Sequence, residues 1–264
     1  MRLGVAATAP LGADVLERLA AKHEIEFLLT RPDQQRGRGR KVGAPPAKEA
    51  ALRLGIPVRQ VERLDETFSL DGADTVVVVA YGALIPSGLL DRANWLNVHP
   101  SRLPRWRGAA PIERAIMAGD LETAVSVIRL VEELDAGPIG ASRELTIGSD
   151  TTAGDVYAEA ARLAPELIDE ALANDSFSPQ VGEPTYAEKI GPADRELDWS
   201  RPAKELHDRI RALSPHIGAR GEVEGRRVIV WRSRLDGDRL ELVEVQPDGG
   251  TRMSYDAFLR GLRS

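Results

Sequence analysis

Leu3-Gly4-Val5-Ala6-Ala7, a helix-periodic stretch over residues 13–21 with Val15, Leu16 and Leu19 on one face, and the apolar run Glu24-Ile25-Glu26-Phe27-Leu28-Leu29-Thr30 decide the fold. A short buried run, an amphipathic helix and a second such run spell a βαβ unit, and βαβ units build parallel sheets. Further along, Thr75-Val76-Val77-Val78-Val79-Ala80 is β-branched through its centre, as a strand covered on both faces should be. Weaker strand signals occur at 58–61, 95–99, 125–131 and 139–145. Helices are expected at 47–54, 111–118 and 152–173, the last kinked or broken at Pro165. The fold class that follows is α/β, a Rossmann-like, mostly parallel sheet with flanking helices. Residues 31–46 have no apolar period and contain Gly37, Gly39 and Gly43, so they read as a long exposed loop.

The chain changes character after residue 184. Polar stretches lead to a helix with Pro202 in its first turn and Leu206, Ile210 and Leu213 on one face. Strand signals at 218–223, 228–232 and 240–245 and a short helix at 255–262 complete a small C-terminal β-barrel-like (OB-like) module. The expected division is 1–184, a linker at 185–204, and 205–264.

Composition removes whole classes of chemistry. With no cysteine there is no disulfide framework and no thiol nucleophile, and His23, His99, His207 and His216 lack metal-ligand spacing, so no metal is expected. The first strand is not followed by Gly-x-Gly-x-x-Gly, and residues 37–43 do not form a Walker loop, so no nucleotide cofactor is expected. The longest apolar run, 75–80, is far short of the ~20 residues of a membrane span. Met1-Arg2-Leu3-Gly4 leads straight into a strand, and the expectation is a soluble, cytoplasmic monomer. A net charge of −6 gives no general attraction to nucleic acid. Any RNA contact must therefore be local, and residues 31–48 supply one, with six basic residues against Asp33 alone.

The chemistry concentrates in Asn97-Val98-His99-Pro100-Ser101-Arg102-Leu103-Pro104-Arg105-Trp106-Arg107-Gly108-Ala109-Ala110-Pro111. In an extended chain Asn97 and His99 project to one face while Val98 turns into the core. If the connection to strand 125–131 is a right-handed parallel crossover, His99 and the residues just beyond Val131 share the carboxyl edge of the sheet, where Asp135 lies. An amide can stabilise an oxyanion, an imidazole can exchange a proton and a carboxylate can orient it, which together suit acyl transfer. Without a Gly-x-Ser-x-Gly elbow or a cysteine, the acceptor should attack directly, with no covalent acyl-enzyme.

Asn97/His99, Ser101 to Pro104, Leu134 to Gly137, Arg36-Gly37-Arg38-Gly39-Arg40-Lys41, the Arg105 to Ile112 run and Thr185-Tyr186-Ala187-Glu188-Lys189 followed by Leu197-Asp198-Trp199-Ser200 carry a resemblance. Over nearly its whole length the chain resembles the methionyl-tRNA formyltransferases, which share core motifs with other 10-formyltetrahydrofolate-dependent formyltransferases. The resemblance implies a formyltransferase domain at 1–184 and a tRNA-binding module at 205–264. It implies 10-formyltetrahydrofolate as co-substrate and methionyl-initiator tRNA as acceptor. Asn97, His99 and Asp135 would be catalytic; Tyr81, Gly82, Ser101, Leu103, Pro104, Leu134 and Gly137 would surround the folate. Arg36, Arg38, Arg40, Lys41 and Lys189 would contact tRNA, Arg38 foremost. Three features depart from the family pattern: Ala6-Ala7-Thr8-Ala9-Pro10 replaces Gly before Thr with Pro after it and lacks the following aromatic, Arg102 replaces Leu, and a stretch of strands after Trp231 is missing, which abbreviates the C-terminal domain. The rivals are a sugar or nucleotide N-formyltransferase, a formyl-folate hydrolase and a noncatalytic RNA-binding relative. The basic loop opposes the first, and retention of Asn97, His99 and Asp135 opposes the last.

Overall fold

The computed structural model describes residues 1–36, 41–174 and 176–262. Along the chain the elements are β1 (Arg2–Ala7), α1 (Pro10–Ala20), β2 (Glu24–Thr30), β3 (Gln34–Arg36), β4 (Lys41–Gly43), α2 (Pro46–Leu54), β5 (Val58–Gln60), β6 (Thr75–Val79), α3 (Ser87–Leu90) and β7 (Asn94–His99). They continue with β8 (Arg107–Gly108), α4 (Pro111–Met117), β9 (Glu122–Arg129), β10 (Ile139–Thr146), α5 (Ala153–Asn174), β11 (Tyr186–Ala187), a 3₁₀ turn at Ala193–Arg195 and α6 (Ala203–Leu213). The last are β12 (Ala219–Val223), β13 (Arg226–Asp236), β14 (Arg239–Pro247), β15 (Met253–Ser254) and α7 (Tyr255–Leu262).

Seven strands form one sheet in the order β10-β9-β7-β6-β1-β2-β5. Pairing is parallel from β7 through β6, β1 and β2 to β5. The reason is visible in burial: every residue of β6 and all but the first of β1 are buried, so each strand has helices or loops on both faces. One face is filled by Ala6, Phe27, Leu29, Val76, Val78 and Trp95. Burying each of the larger of these side chains contributes roughly 1.5–3 kcal/mol.

Four expectations are corrected. β9 runs antiparallel to β7, with Leu96 opposite Arg129 and His99 opposite Ser126, so the connection is not a parallel crossover. β9 enters the sheet beside the end of β7 and finishes beside its start, so residues 100–121 join the two strands without crossing back. Second, part of the expected loop at 31–46 is a hairpin, in which Gln34, Gln35 and Arg36 of β3 pair with Gly43, Val42 and Lys41 of β4. Its strands have no apolar period because they pair only with each other and Val42 is exposed. Third, of the kink or break expected at Pro165 the break is absent: α5 is one helix through it, forfeiting one hydrogen bond, with buried Ala160, Ala161, Ala164, Leu167 and Ile168 on either side. Fourth, Pro202 stands at the N-cap of α6, one place before the helix, where its missing N–H costs nothing.

The chain separates into two compact units. One comprises Met1–Arg107, Ala124–Glu144 and Ala158–Thr185; the other comprises Gly108–Thr123, Leu145–Tyr157 and Tyr186–Ser264. In the second, the strands expected of the small module form an antiparallel sheet, β12-β13-β14-β15, with β12 and β15 at its edges. Leu206, Ile210 and Leu213 of α6 pack with Val228 and Val230 of β13, Val245 of β14 and Phe258 of α7. The three α6 residues lie at i, i+4 and i+7, the spacing that puts an apolar stripe on one side of a helix.

Candidate active site

Trp95, Asn97 and His99 alternate with Leu96 and Val98 along β7, and the register Val76↔Trp95 and Val78↔Asn97 places the three on the same sheet face as Val76 and Val78. The amide and imidazole therefore converge as the spacing requires. Asn97 Nδ2 donates to Asp135 Oδ1 at 3.1 Å, and His99 Nδ1 lies 3.6 Å from Asp135 Oδ2. His99 and Asp135 are 4% and 8% exposed, so this polar group is nearly dry.

Asp135 arrives by a route other than the expected one. β9 ends beside the start of β7, where Leu130 N donates to Trp95 O at 2.8 Å, and residues 131–138 then double back to bring Asp135 to Asn97 and His99.

The ring nitrogens of His99 have different surroundings. Trp106 O lies 2.8 Å from Nε2, and because a carbonyl can only accept, Nε2 carries a hydrogen. Nδ1 is then the nitrogen turned toward the carboxylate, at a distance beyond a normal hydrogen bond. The Trp106 carbonyl is itself held by position: Trp106 N donates to Thr185 Oγ1, Arg107 N donates to Thr185 O, and Thr185 N donates to Pro104 O. Trp106 adopts φ 65°, Asp135 φ 48° and, at the end of neighbouring β6, Ala80 φ 47°. Left-handed backbone at non-glycine residues costs about 1–3 kcal/mol each and persists where surrounding contacts over-determine it.

One such set of contacts was not anticipated from the sequence. Gln180 Nε2 donates to Asp135 O at 2.7 Å and to Gly137 O at 2.9 Å, while its Oε1 accepts from Arg107 Nε and Nη2 at 3.1 and 2.8 Å. Arg107, itself buried, donates through Nη1 to Glu133 Oε1 at 2.8 Å. Gln180 lies in a polar tract with no periodicity, so nothing in its neighbours marked it. Thr185 was noted only as the start of a linker.

The other expected folate residues separate into shaping and exposed groups. Ser101 is fully buried, and its hydroxyl donates to Arg105 O at 2.8 Å, which closes the loop on itself. Leu103 is buried and Pro104 half-buried. A Cβ on Gly137 would overlap the Arg129 carbonyl oxygen. Tyr81 is buried in the Trp95 cluster, and burial pushes its hydroxyl above the ordinary tyrosine range, with the Arg31 charge opposing part of the shift. Gly82 (φ 77°) and Leu134 face solvent. Of the expected RNA contacts, Arg38 and Arg40 lie outside the described residues, and Arg36 and Lys41 are paired at the ends of β3 and β4. Lys189 is exposed in the second unit, where Arg114 donates to the Glu188 and Lys189 carbonyls and forms a paired salt bridge with Asp194. Among the described residues no cluster of three or more His, Cys, Asp or Glu is arranged to hold a metal, and no helix is long and apolar enough to cross a membrane.

A Rossmann-like sheet with an Asn–His–Asp group at its edge defines a class, and comparison with known proteins names it. Residues 5–172 match the family described as Formyl transferase, and residues 189–239 match the family described as Formyl transferase, C-terminal domain. Methionyl-tRNA formyltransferase of Cutibacterium acnes is 45% identical over 266 residues, covering 94% of this chain and 84% of the relative. The enzyme of the same name from Heliobacterium modesticaldum is 37% identical over 308 residues, covering 100% and 98%. The chain belongs to the methionyl-tRNA formyltransferase family of formyl-transferring enzymes. Solved structures share the fold: a methionyl-tRNA formyltransferase from Clostridium thermocellum matches with TM-score 0.67 at 17% identity over 94% of this chain and 98% of that one. HypX from Aquifex aeolicus, in complex with tetrahydrofolic acid, matches with TM-score 0.68 at 18% identity over 98% of this chain and 46% of that one.

Proposed function

We propose that the protein moves the formyl group of 10-formyltetrahydrofolate directly onto the α-amine of methionyl-initiator tRNA, with no acyl-enzyme and no metal or nucleotide cofactor. The observation that carries this reading is the convergence of half-buried Asn97 with buried His99 and Asp135, with hydrogen-bonding capacity to spare. Asn97 Nδ2 has two hydrogens and spends one on Asp135. The second is available to a formyl oxygen as it becomes an oxyanion, the kind of donor worth about 10²–10³ in rate.

The amine nitrogen forms a bond to the formyl carbon, the carbonyl pair moves onto oxygen, and the tetrahedral intermediate collapses by breaking the bond to N10 of the folate. The proton lost from the amine must reach that departing nitrogen. His99, with Nε2 tied to Trp106 O and Nδ1 facing Asp135, is the group placed to relay it. The names of the relatives support the acceptor, and the tetrahydrofolic acid complex of HypX supports the donor. Exposed Leu134 beside Asp135 offers an apolar edge to a flat ring. Gly82, Tyr81, Leu103 and Pro104 would complete the folate surroundings, with Ser101 and Gly137 shaping them from behind. Arg36, Arg38, Arg40, Lys41 and Lys189 would hold tRNA through phosphates and base edges. In this reading residues 1–184 carry the chemistry, 185–204 link, and 205–264 form an abbreviated tRNA-binding module.

The test supplies 10-formyltetrahydrofolate with methionyl-tRNA, with an amino sugar nucleotide, or with no acceptor, and follows tetrahydrofolate release. Release that depends on methionyl-tRNA is expected. Release that depends on the sugar nucleotide, or that needs no acceptor, overturns the assignment in favour of a sugar N-formyltransferase or a formyl-folate hydrolase respectively.

A further inference from the structure

We propose that Gln180 is a positioning residue for formyl transfer, fixing the Asp135 carboxylate against Asn97 and His99 through the backbone of residues 133–137. The inference rests on the reading of the site given above. Asp135 sits in the left-handed region, and that backbone fixes the Cα–Cβ direction from which the carboxylate reaches Asn97, so whatever holds the backbone limits where the carboxylate can lie. Gln180 holds it on two sides at once. Both hydrogens of Nε2 are used, one on Asp135 O and one on Gly137 O, and the carboxamide oxygen is used by two nitrogens of Arg107. Arg107 then ties the same loop a third time through Glu133. A planar amide bound at both ends cannot rotate without breaking four hydrogen bonds, which makes it a rigid strut. All of these residues belong to one compact unit.

The chemistry of the strut is directional. Only a primary amide can give two hydrogens to two carbonyls and accept from a guanidinium with the same group. Gln180→Glu keeps the shape and removes the donors, turning carboxylate oxygen toward two carbonyl oxygens. Gln180→Asn keeps the amide but shortens its reach by one methylene. Misplacement of a catalytic group by ~1 Å costs on the order of 100-fold in rate.

Two measurements test this. In kinetics, Gln180→Glu is expected to lower kcat on the order of 10–100-fold while KM for the folate moves less than about twofold. In a double-mutant cycle with Asp135→Asn, its effect should shrink to near nothing, because the group it positions is gone. Equal fold-losses in both backgrounds would overturn the proposal. In NMR, the four histidines give a resolvable set of ring signals, and His99→Gln identifies the one of interest. The His99 ring signals should move in both Gln180→Glu and Gln180→Asn, less in the second, while those of His207 stay in place. Unmoved His99 signals overturn the inference; signals lost for all four histidines would mark an unfolded variant, in which case Gln180→Asn decides. The spectra need no turnover, so a wild-type protein inactive with methionyl-tRNA would refute the proposed function and leave this inference to be judged separately.

Discussion

His99 and His207 are both buried, and each has Nε2 hydrogen-bonded to a backbone carbonyl, Trp106 O for one at 2.8 Å and Ser149 O for the other at 2.9 Å. They differ at the second nitrogen. His207 Nδ1 accepts from the Ser233 hydroxyl at 2.9 Å, a neutral partner that completes the ring's hydrogen bonding. His99 Nδ1 instead faces the Asp135 carboxylate at 3.6 Å, next to an amide with an unspent hydrogen. Burial and a carbonyl anchor thus describe His207 and the proposed catalytic histidine equally well. The distinction lies in what the remaining nitrogen faces, a hydroxyl within hydrogen-bond distance in one and a carboxylate just beyond it in the other.

The largest expected effect breaks this pair apart. His99→Ala should lower formyl transfer by about 10²–10⁴-fold, whereas His207→Ala, which removes the partner of the Ser149 carbonyl and the Ser233 hydroxyl, should leave turnover per folded molecule nearly unchanged. Comparable turnover in His99→Ala and wild type would sink the proposed role. Next in size, Asn97→Ala should cost about 10²–10³ in kcat with a modest change in folate KM. Measured by thermal unfolding, the order reverses. Loss of the two part-buried hydrogen bonds in His207→Ala is worth about 1–3 kcal/mol, or roughly 2–12 °C in Tm, and His99→Ala should shift Tm by less.

The smallest effect concerns buried Glu113 and half-buried Tyr157, in the same unit as His207. Burial pushes the Glu113 carboxyl above the ordinary glutamate range, with the Tyr157 hydroxyl bonded to it at 3.0 and 3.1 Å opposing part of the shift. Desolvation, and then the Glu113 charge, push the Tyr157 hydroxyl up as well. A raised folded-state pKa means the native state binds the Glu113 proton more tightly. Its stabilisation is therefore complete below the ordinary glutamate range and is lost as pH rises through the folded value. Glu113→Gln, which keeps an acceptor for Tyr157, should raise Tm at neutral pH and lose that advantage on acidification. A constant Tm difference between pH 4 and 8 would refute the assignment.

What could be read from the sequence follows from where apolar pattern exists. β1, β6 and the α6 stripe were legible because burial writes itself into Val, Leu and Ile at fixed spacing. The direction of β9 was not, since alternation reads the same for a strand running either way. The β3–β4 hairpin was missed because Gln34, Gln35 and Val42 are exposed and leave no buried pattern. In the site, Asn97 and His99 were legible from spacing two apart on a strand, and Asp135 was named for an edge it reaches by another path. Gln180, Thr185 and the Trp106 carbonyl were not legible, because a residue that works through backbone hydrogen bonds leaves no period and no charge pattern.

Gly137 has no room for a Cβ against the Arg129 carbonyl, although its two flanking residues, Ala136 and Pro138, are only half-buried. The permitted alphabet at this position is a single letter. In a library randomised over residues 132–138 and selected for formyl transfer, Glu132 should vary widely, Leu134 should stay apolar, Asp135 should be retained for its carboxylate, and 137 should return glycine alone for want of space. The loop would then carry two fixed characters two residues apart with unrelated causes, one chemical and one volumetric.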